Sequence, residues 1–385
     1  MRKAWQSCLI GAFLIFTPAI FLCSRVQAQE PREFETAPDS AHKDWPASPA
    51  RASKGMVVSD EKRASEVGIE ILKRGGNAVD AAVAVAFALA VVEPEAGNIG
   101  GGGFMLVRLA NGQAKFVDYR EVAPAAASRD MYLTPDGELE PEASVVGYRS
   151  AAVPGTVAGL ALALKLYGTM KLADVMDPAI ELADKGFPVS ERLSELLSES
   201  GSVLGRFANS RRIFLKQGSY YEPGEIFKQP ELAATLRRIA RNGPAEFYRG
   251  QIARDLAKEV LREGGLISLD DLAHYQAKIR EPLTASYKLN GHDWELVTSP
   301  PPSSGGVAAI EALNILAPIQ LKSWDDAQSV HWVIEAMRRV FADRASFLAD
   351  PDFAAIPVRG LTSPCYADAL RRALGLLERG ALDHR

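Results

Sequence analysis

The sequence predicts a layered protein of the α/β or α+β class, in which helices pack on β-strands. Three observations support this class: a helical segment that is apolar on almost every side, two short strands joined by an Asn-Gly turn, and helical periodicity in most of the remaining chain. Of the 385 residues, 47% are hydrophobic and 24% are charged, so the chain can bury a sizeable core. This length permits two or three domains of roughly 150 residues or one large unit.

Two helical segments open the folded part of the chain. Ser59-Asp60 can cap the first segment, which ends at Gly75-Gly76. The second begins after Asn77, extends to Val92 and carries Asp80 as its single charge. A helix that is apolar on nearly every side is a buried one, and this segment is too short to cross a bilayer. We therefore predict that it packs against a sheet.

A strand hairpin follows these helices. Four consecutive glycines, Gly100–Gly103, precede the apolar run Phe104–Val107, and Asn111-Gly112 separates this run from Lys115–Tyr119. An Asn-Gly pair between two such runs predicts two antiparallel strands. A glycine run can also cradle a phosphate, but such loops open a helix and carry Lys-Ser or Lys-Thr after the last glycine. This run opens a strand, so we predict a close-packed turn.

The rest of the chain is mainly helical. Helical periodicity or apolar runs predict helices over 153–167, 172–185, 232–241, 252–263, 307–316, 325–348 and 367–377. A further strand is predicted over 289–298.

The first residues have the features of a cleaved export signal. Basic residues precede an apolar stretch from Leu9 to Leu22, and short side chains near Ala28 fit a cleavage site. We predict a signal peptide over residues 1–28 and a flexible leader, rich in Pro, Ala, Ser and charge, over residues 29–53. An uncleaved membrane anchor is one alternative, although the apolar stretch is short for a membrane span. A lipoprotein anchor at Cys23 is less favoured, because Phe21-Leu22 before it lacks the small residue that such processing prefers.

Export predicts a periplasmic or secreted protein that has no membrane attachment after cleavage. Residues 54–385 would then form the mature folded domain. Because Cys8 and Cys23 lie in the predicted signal, Cys365 would be the single cysteine of the mature chain, and no intrachain disulfide could form.

Composition and motifs argue against several functions. The net charge is -4 without a long run of either sign, so no nucleic-acid partner is expected. The five histidines are scattered and no pair has the helical spacing of zinc sites, so neither a metal nor another cofactor is predicted. The sequence contains no Gly-x-Ser-x-Gly and no Ser-x-x-Lys, although a catalytic triad assembled in space can escape such a search.

Two polar features are candidate sites. Arg120 ends the second predicted strand, beside Glu121 and near Asp118, and residue chemistry favours a surface ion pair. An arginine at a strand end can instead hold a substrate carboxylate with two parallel donors. The segment Pro300–Gly306 could bind an anion at a helix N-terminus, but capping by Ser304 is the favoured interpretation.

Several motifs in a fixed order carry a family resemblance. They are Gly55–Ser59, Leu72–Ala82, Glu93–Phe104, Asp118–Pro124, Val153–Thr156, Pro300–Gly306 and Phe341–Arg344. In their residues and in their order along the chain, these segments resemble the γ-glutamyltransferases (glutathione hydrolases), and the similarity covers roughly residues 54 to 366. The resemblance makes residues 54–385 a large-subunit domain of that family.

The resemblance implies a fold and a reaction. A proenzyme of this family cuts itself into a larger and a smaller subunit, which together form a four-layer αββα sandwich of the N-terminal-nucleophile hydrolase type. The new N-terminal threonine attacks the γ-glutamyl carbonyl of glutathione or another γ-glutamyl compound, with its own α-amine as the base. The acyl group then passes to water or to an amino acid. By resemblance, Arg120 is the larger subunit's contact to the α-carboxylate of the donor.

The end of the sequence departs from that pattern. No serine or threonine occurs from Pro364 to Arg385, and Thr362 lies in a stretch that matches the larger subunit well before its processing site. We therefore expect a small-subunit partner to carry the nucleophilic threonine, this chain to supply no catalytic residue, the sandwich to be incomplete, and the chain alone to be inactive. A mature larger subunit, a truncated or interrupted gene product and a sequence fragment remain open as origins.

Two alternatives to this function remain. One is a related amidase that acts on glutaryl or polyglutamyl side chains. The other, of a different class, is a non-catalytic remnant or a glutamate-binding protein.

Overall fold

The computed structural model describes residues 50–216, 219–289 and 291–374. The chain divides into two units, Met1–Gly55 and Met56–Arg385. Residues 50–55 are the described part of the first unit and form no helix or strand. The predicted signal peptide and most of the predicted leader lie outside the described residues, and the predicted domain limits stay predictions.

The second unit combines helices with short strands. In the described part, its helices are α1 (Lys62–Lys73), α2 (Ala78–Val92), α3 (Thr156–Tyr167), α4 (Leu172–Lys185), α5 (Glu191–Glu199), α6 (Gly201–Leu204), α7 (Ala208–Phe214), α8 (Pro230–Asn242), α9 (Ala245–Tyr248), α10 (Gln251–Arg262), α11 (Leu269–His274), α12 (Gly305–Leu316), α13 (Ala327–Phe347), α14 (Val358–Leu361) and α15 (Pro364–Ala373). Its strands are β1 (Gly103–Arg108), β2 (Ala114–Tyr119), β3 (Phe187–Pro188), β4 (Ile226–Phe227), β5 (Lys278–Arg280), β6 (Leu283–Leu289) and β7 (His292–Thr298).

Helix α2 is the buried helix that the sequence predicts. Asn77 Oδ1 accepts hydrogen bonds from the backbone N–H groups of Val79 and Asp80 at 2.8 and 3.0 Å. Asp80 Oδ2 accepts from the Asn77 N–H at 2.8 Å, which completes a capping box. The main neighbours of α2 are α1, α3 and α4, and α3 in turn contacts β1 and β2. Burial of α2 is confirmed, but it packs chiefly on helices because its many alanines allow close helix contact.

The cap of α1 differs from the prediction. Glu61 occupies the N-cap, and its side chain accepts from the backbone N–H groups of Arg63 and Ala64. Ser59 lies further out and its hydroxyl bonds to Glu61 O and Ser65 Oγ, both at 2.8 Å. The prediction that Ser59-Asp60 caps α1 is therefore wrong. The glutamate at position 61, directly before the helix, accepts the hydrogen bonds from its first free N–H groups.

The predicted hairpin is confirmed. Strands β1 and β2 pair antiparallel from Gly103 opposite Tyr119 to Arg108 opposite Ala114, and β5 extends the sheet in the order β1-β2-β5. The glycine run opens β1, as predicted. A Cβ atom on Gly102 would lie 2.5 Å from the Tyr119 carbonyl oxygen, so this turn has no room for a side chain.

The strand predicted over 289–298 is confirmed over His292–Thr298 (β7), and it belongs to a second hairpin that was not predicted from the sequence. Strands β6 and β7 pair antiparallel, with Leu283 opposite Thr298 and Leu289 opposite His292. Gly291, between them, has a φ of +77°, which a turn requires and most residues avoid. The sequence shows Asn290-Gly291 at this point, the same turn signal that correctly predicts the first hairpin.

Two apolar cores hold these elements. The larger contains buried side chains of α1 to α4, of β1 and β2, and of α8 to α11. The smaller joins α12, α13 and α15 through Ala312, Ile315, Ala336, Val340 and Ala367. The predicted mixture of helix and sheet is confirmed. In the part of the chain that the structure describes, no helix has both the length and the apolar character to span a bilayer.

Candidate functional site

A cavity of about 520 Å³ lies where the small sheet meets the helices of the smaller core. Its walls come from the end of β2 and the residues after it, from β5 and the residues before it, from residues 302–304 just before α12, and from the end of α13 and the residues after it. The lining side chains that bear on function are Arg120, Tyr275, Arg280, Ser304, Arg344 and Asp352. The cavity therefore brings Arg120, the single substrate-binding residue predicted from the sequence, together with polar residues from distant parts of the chain.

Arg120 is an exposed residue whose backbone is fixed on both sides. Its N–H donates to Asp118 Oδ1 at 3.1 Å, and its carbonyl oxygen accepts from the Tyr275 hydroxyl at 2.9 Å. The guanidinium carbon lies 5.9 Å from the centre of the Phe104 ring, within the range of a cation–π contact. Within the described ranges, the guanidinium N–H groups make no hydrogen bond to another residue.

The neighbouring carboxylates are paired with other cations. Arg280 Nε lies 2.7 Å from Asp118 Oδ2, and Arg280 Nη2 lies 2.8 Å from Asp352 Oδ2. Lys278 Nζ is 2.5 Å from the same Asp352 oxygen. Hydrogen bonds from Arg280 and then Lys278 lower the pKa of Asp352 to about 2, so this carboxylate stays charged.

This pairing bears on the two interpretations of Arg120. Among the described residues, no carboxylate lies within ion-pair distance of its guanidinium, so the favoured surface ion pair is not formed there. Asp118 instead binds the backbone of Arg120 and the side chain of Arg280. An unpaired guanidinium in a cavity wall is suited to binding an anion, a carboxylate above all.

Ser304 does not cap α12 in the way the sequence predicts. It occupies the N-cap position, but its side chain makes no capping hydrogen bond. Its Oγ instead accepts from Arg344 Nε at 3.0 Å. Ser303 Oγ meets the Gly305 N–H at 3.3 Å and accepts from Ser299 Oγ at 2.9 Å. The capping prediction is wrong because Arg344, from α13, draws the Ser304 hydroxyl to the cavity wall.

Sequence reasoning missed most of the residues around Arg120. Tyr275 and Arg280 follow α11 in a segment without a recognisable motif, and Asp352 lies in a turn after α13. Arg344 belongs to a segment that carried the family resemblance, but its place in the cavity had no sequence signal of its own. Their shared location depends on contacts between segments that are remote in sequence.

Fold and site together define a class of protein. A mixed helix-and-sheet domain holds a guanidinium in a cavity large enough for a small molecule, and this guanidinium has no carboxylate partner in the part of the chain that the structure describes. The arrangement is suited to a small anionic ligand.

Comparison with known proteins gives the family. Residues 64–379 match the family model for gamma-glutamyltranspeptidase. The chain is 45% identical to the glutathione hydrolase proenzyme of Escherichia coli K12, over 84% of this chain and 55% of that protein. It is 44% identical to the glutathione hydrolase proenzyme of Pseudomonas aeruginosa, over 81% of this chain and 55% of that protein. The chain belongs to the gamma-glutamyltranspeptidase family.

Solved structures of gamma-glutamyltranspeptidases are also similar to this chain. The gamma-glutamyltranspeptidase of Helicobacter pylori matches with a TM-score of 0.82 and 41% identity, over 85% of this chain and 93% of that chain. The gamma-glutamyltranspeptidase of Pseudomonas nitroreducens, complexed with L-DON, matches with a TM-score of 0.76 and 43% identity, over 83% and 94%. This chain covers 54% to 62% of the length of the curated relatives that it matches.

Proposed function

We propose that this chain is the large-subunit part of a γ-glutamyltransferase (glutathione hydrolase), and that Arg120 binds the α-carboxylate of the γ-glutamyl donor. The observation that carries the proposal is the Arg120 guanidinium, which lines the cavity and has no carboxylate partner among the described residues. A guanidinium can form two parallel hydrogen bonds with a carboxylate, which fixes the orientation as well as the position of the donor.

In the proposed reaction, this chain binds and orients the donor. The threonine hydroxyl of the small subunit attacks the γ-glutamyl carbonyl, and its proton passes to the threonine α-amine. The C–N bond to the leaving amine then breaks, and the leaving amine takes up that proton. Water or an amino acid releases the acyl group. Holding the α-carboxylate at Arg120 keeps the γ-carbonyl close to the nucleophile, which lowers the entropic cost of attack.

An exposed apolar surface supports a small-subunit partner. Ile334, Met337 and Phe341 lie at helical spacing along one face of α13, with 52%, 41% and 54% of their area exposed. Trp294 on β7 is 59% exposed. Exposed apolar clusters of this kind mark interaction surfaces. We propose that the small subunit covers the α13 face and that the two parts share the four-layer αββα sandwich.

The exported location is part of the same proposal. It rests on the predicted signal peptide and stays a prediction for this chain.

A test of the proposed function uses the chain with and without a small-subunit polypeptide of the family. We expect hydrolysis of a γ-glutamyl anilide with both parts present and none with this chain alone. Arg120→Ala should raise KM for the anilide at least tenfold, roughly the cost of losing a hydrogen-bonded charge contact. Arg129→Ala is a matched control, because the Arg129 side chain is 97% exposed. An unchanged KM in Arg120→Ala would overturn the role of Arg120.

An acylase activity is the second candidate. The chain is 40% identical to the Acylase ACY 1 proenzyme of Pseudomonas sp., and the cephalosporin acylase of Bacillus halodurans matches with a TM-score of 0.73 at 29% identity. Glutaryl and γ-glutamyl anilides separate the two activities, because they differ in the α-amino group. Preference for the glutaryl compound would favour the acylase. Titration of the chain with glutamate addresses the non-catalytic alternative, for which binding without turnover is the expected result.

A further inference from the structure

The backbone of Arg120 is held at both of its polar groups. Its N–H donates to Asp118 Oδ1 at 3.1 Å, and its carbonyl oxygen accepts from the Tyr275 hydroxyl at 2.9 Å. Asp118 precedes Arg120 by two residues, whereas Tyr275 lies 155 residues further along the chain. The hydrogen bond from Tyr275 is therefore a tertiary contact that fixes the direction in which residue 120 leaves β2.

Tyr275 is itself rigidly placed. It is 9% exposed, and its ring stacks on that of Tyr248 with a centroid distance of 5.5 Å and an interplanar angle of 12°. The Tyr248 hydroxyl donates to the Pro154 carbonyl at 3.0 Å and accepts from the Ala158 N–H at 3.1 Å. Burial raises the pKa of Tyr275 well above its usual value, so its hydroxyl remains a donor throughout the physiological range.

The Tyr275 hydroxyl is tightly packed against the backbone at Gly155. A Cβ atom on Gly155 would lie 2.1 Å from the Tyr275 hydroxyl oxygen and 1.9 Å from the Tyr119 carbonyl oxygen. Gly155 also donates its N–H to Gly101 O at 2.7 Å, which fixes the loop before α3 against the turn before β1. The absence of a side chain at position 155 lets Tyr275 reach the Arg120 carbonyl.

We propose that Tyr275 is a positioning residue for the γ-glutamyl donor: its hydroxyl fixes the Arg120 peptide and so directs the Arg120 guanidinium in the cavity. The inference rests on the proposed function of Arg120. Because the hydroxyl proton of Tyr275 is used by a backbone carbonyl, the effect on the donor passes through Arg120.

The expected effect follows from the geometry of carboxylate binding. Two parallel hydrogen bonds require the guanidinium plane to match the carboxylate plane, so a less fixed Arg120 backbone weakens donor binding. Tyr275→Phe removes a single oxygen and keeps the ring stacked on Tyr248. We expect KM for a γ-glutamyl anilide to rise about five- to tenfold, the effect of losing one hydrogen bond, with kcat changed by less than about twofold.

The test uses the assembled enzyme, with this chain and its small subunit. Steady-state kinetics with the γ-glutamyl anilide are measured for the wild type, Tyr275→Phe, Arg120→Ala and the double variant. Tyr287→Phe is the matched control, since the Tyr287 hydroxyl meets the Ile310 carbonyl at 3.4 Å, away from the cavity walls. The control should leave KM unchanged, and Tyr275→Phe should have no further effect on kcat/KM once Arg120 is alanine.

The possible outcomes distinguish failure of the inference about Tyr275 from failure of the proposed function. If Arg120→Ala raises KM but Tyr275→Phe does not, the inference about Tyr275 is wrong and the proposed function stands. If Tyr275→Phe lowers kcat/KM by the same factor with and without Arg120, its role is general support of the fold, and the inference is again wrong. If the assembled wild type does not hydrolyse the anilide, or Arg120→Ala leaves KM unchanged, the proposed function itself fails.

Discussion

Glu311 is a buried carboxyl group that should make the stability of this protein depend on pH. It lies on α12 with 1% of its area exposed, and its Oε1 has no hydrogen-bond partner in the described structure. The adjacent carboxyl group is that of Asp343 on α13, whose Oδ2 accepts from the Tyr366 hydroxyl at 2.7 Å. Burial raises the pKa of Glu311 from 4.5 to about 8, and the hydrogen bond with Asp343 and its negative charge add to the rise. At neutral pH, Glu311 therefore carries a proton.

The direction of the pH dependence follows from proton counting. Between pH 4.5 and about 8, the folded state holds a proton on Glu311 that the unfolded state has lost. The free energy of unfolding therefore falls as pH rises through this window, by about 1.4 kcal/mol per pH unit. Between pH 5 and pH 7 the loss amounts to about 2 to 3 kcal/mol, and above pH 8 it stops growing.

Glu311→Gln should remove this dependence. A glutamine has nearly the same shape, is neutral at every pH, and keeps an N–H donor for Asp343. We expect the stability of the variant relative to the wild type to increase by about 2 to 3 kcal/mol between pH 5 and pH 7. Urea denaturation followed by circular dichroism, repeated at several pH values, measures this difference.

The control for this experiment is Glu199→Gln, which changes an exposed glutamate at the end of α5. Its stability should follow that of the wild type at each pH. Parallel curves for the wild type and Glu311→Gln would refute the reasoning, because they would show that Glu311 ionises alike in the folded and unfolded states.

Three further predictions concern packing, ionisation and the subunit interface. Gly155→Ala should lower the free energy of unfolding by about 3 kcal/mol, since its Cβ would lie 1.9 Å from a backbone oxygen. Gly360→Ala is the control and should leave the free energy of unfolding unchanged, because its Cβ would have no atom nearer than 3.9 Å. Equal melting temperatures for the two variants would contradict this prediction. For Asp80, burial opposes ionisation, but hydrogen bonds from Thr169, Asn77 and Met170 lower its pKa below 3.8. Its stabilising effect should therefore be lost as pH falls below 3.8, and Asp80→Asn should abolish this loss in an acid titration followed by circular dichroism. Phe341→Glu should weaken binding of the small subunit at least about tenfold by calorimetry, and unchanged affinity would exclude the α13 face as the interface.

Local signals predicted much of the fold. The capping box of Asn77 and Asp80, the Asn-Gly turn before β2 and the span of α4 depend on residues a few positions apart, so the sequence alone predicts them. Two helix caps differ from the predictions: Glu61 caps α1, and the Ser304 side chain makes no capping hydrogen bond at α12. Glutamate is not a preferred N-cap residue, so the sequence favoured Ser59-Asp60 over Glu61. Asn290-Gly291 marks the turn at the start of the predicted strand, and the observed strand begins at His292.

The sequence by itself determined the family, the class of fold and the choice of Arg120 as a candidate, because these depend on ordered motifs and short-range periodicity. Only the tertiary structure decided what surrounds that arginine. Tyr275 lies 155 residues from Arg120, and Arg280 lies 162 residues from Asp118. Such contacts depend on how the sheet and helices pack, and a hydrogen bond between two residues so far apart leaves no pattern in the spacing of the chain.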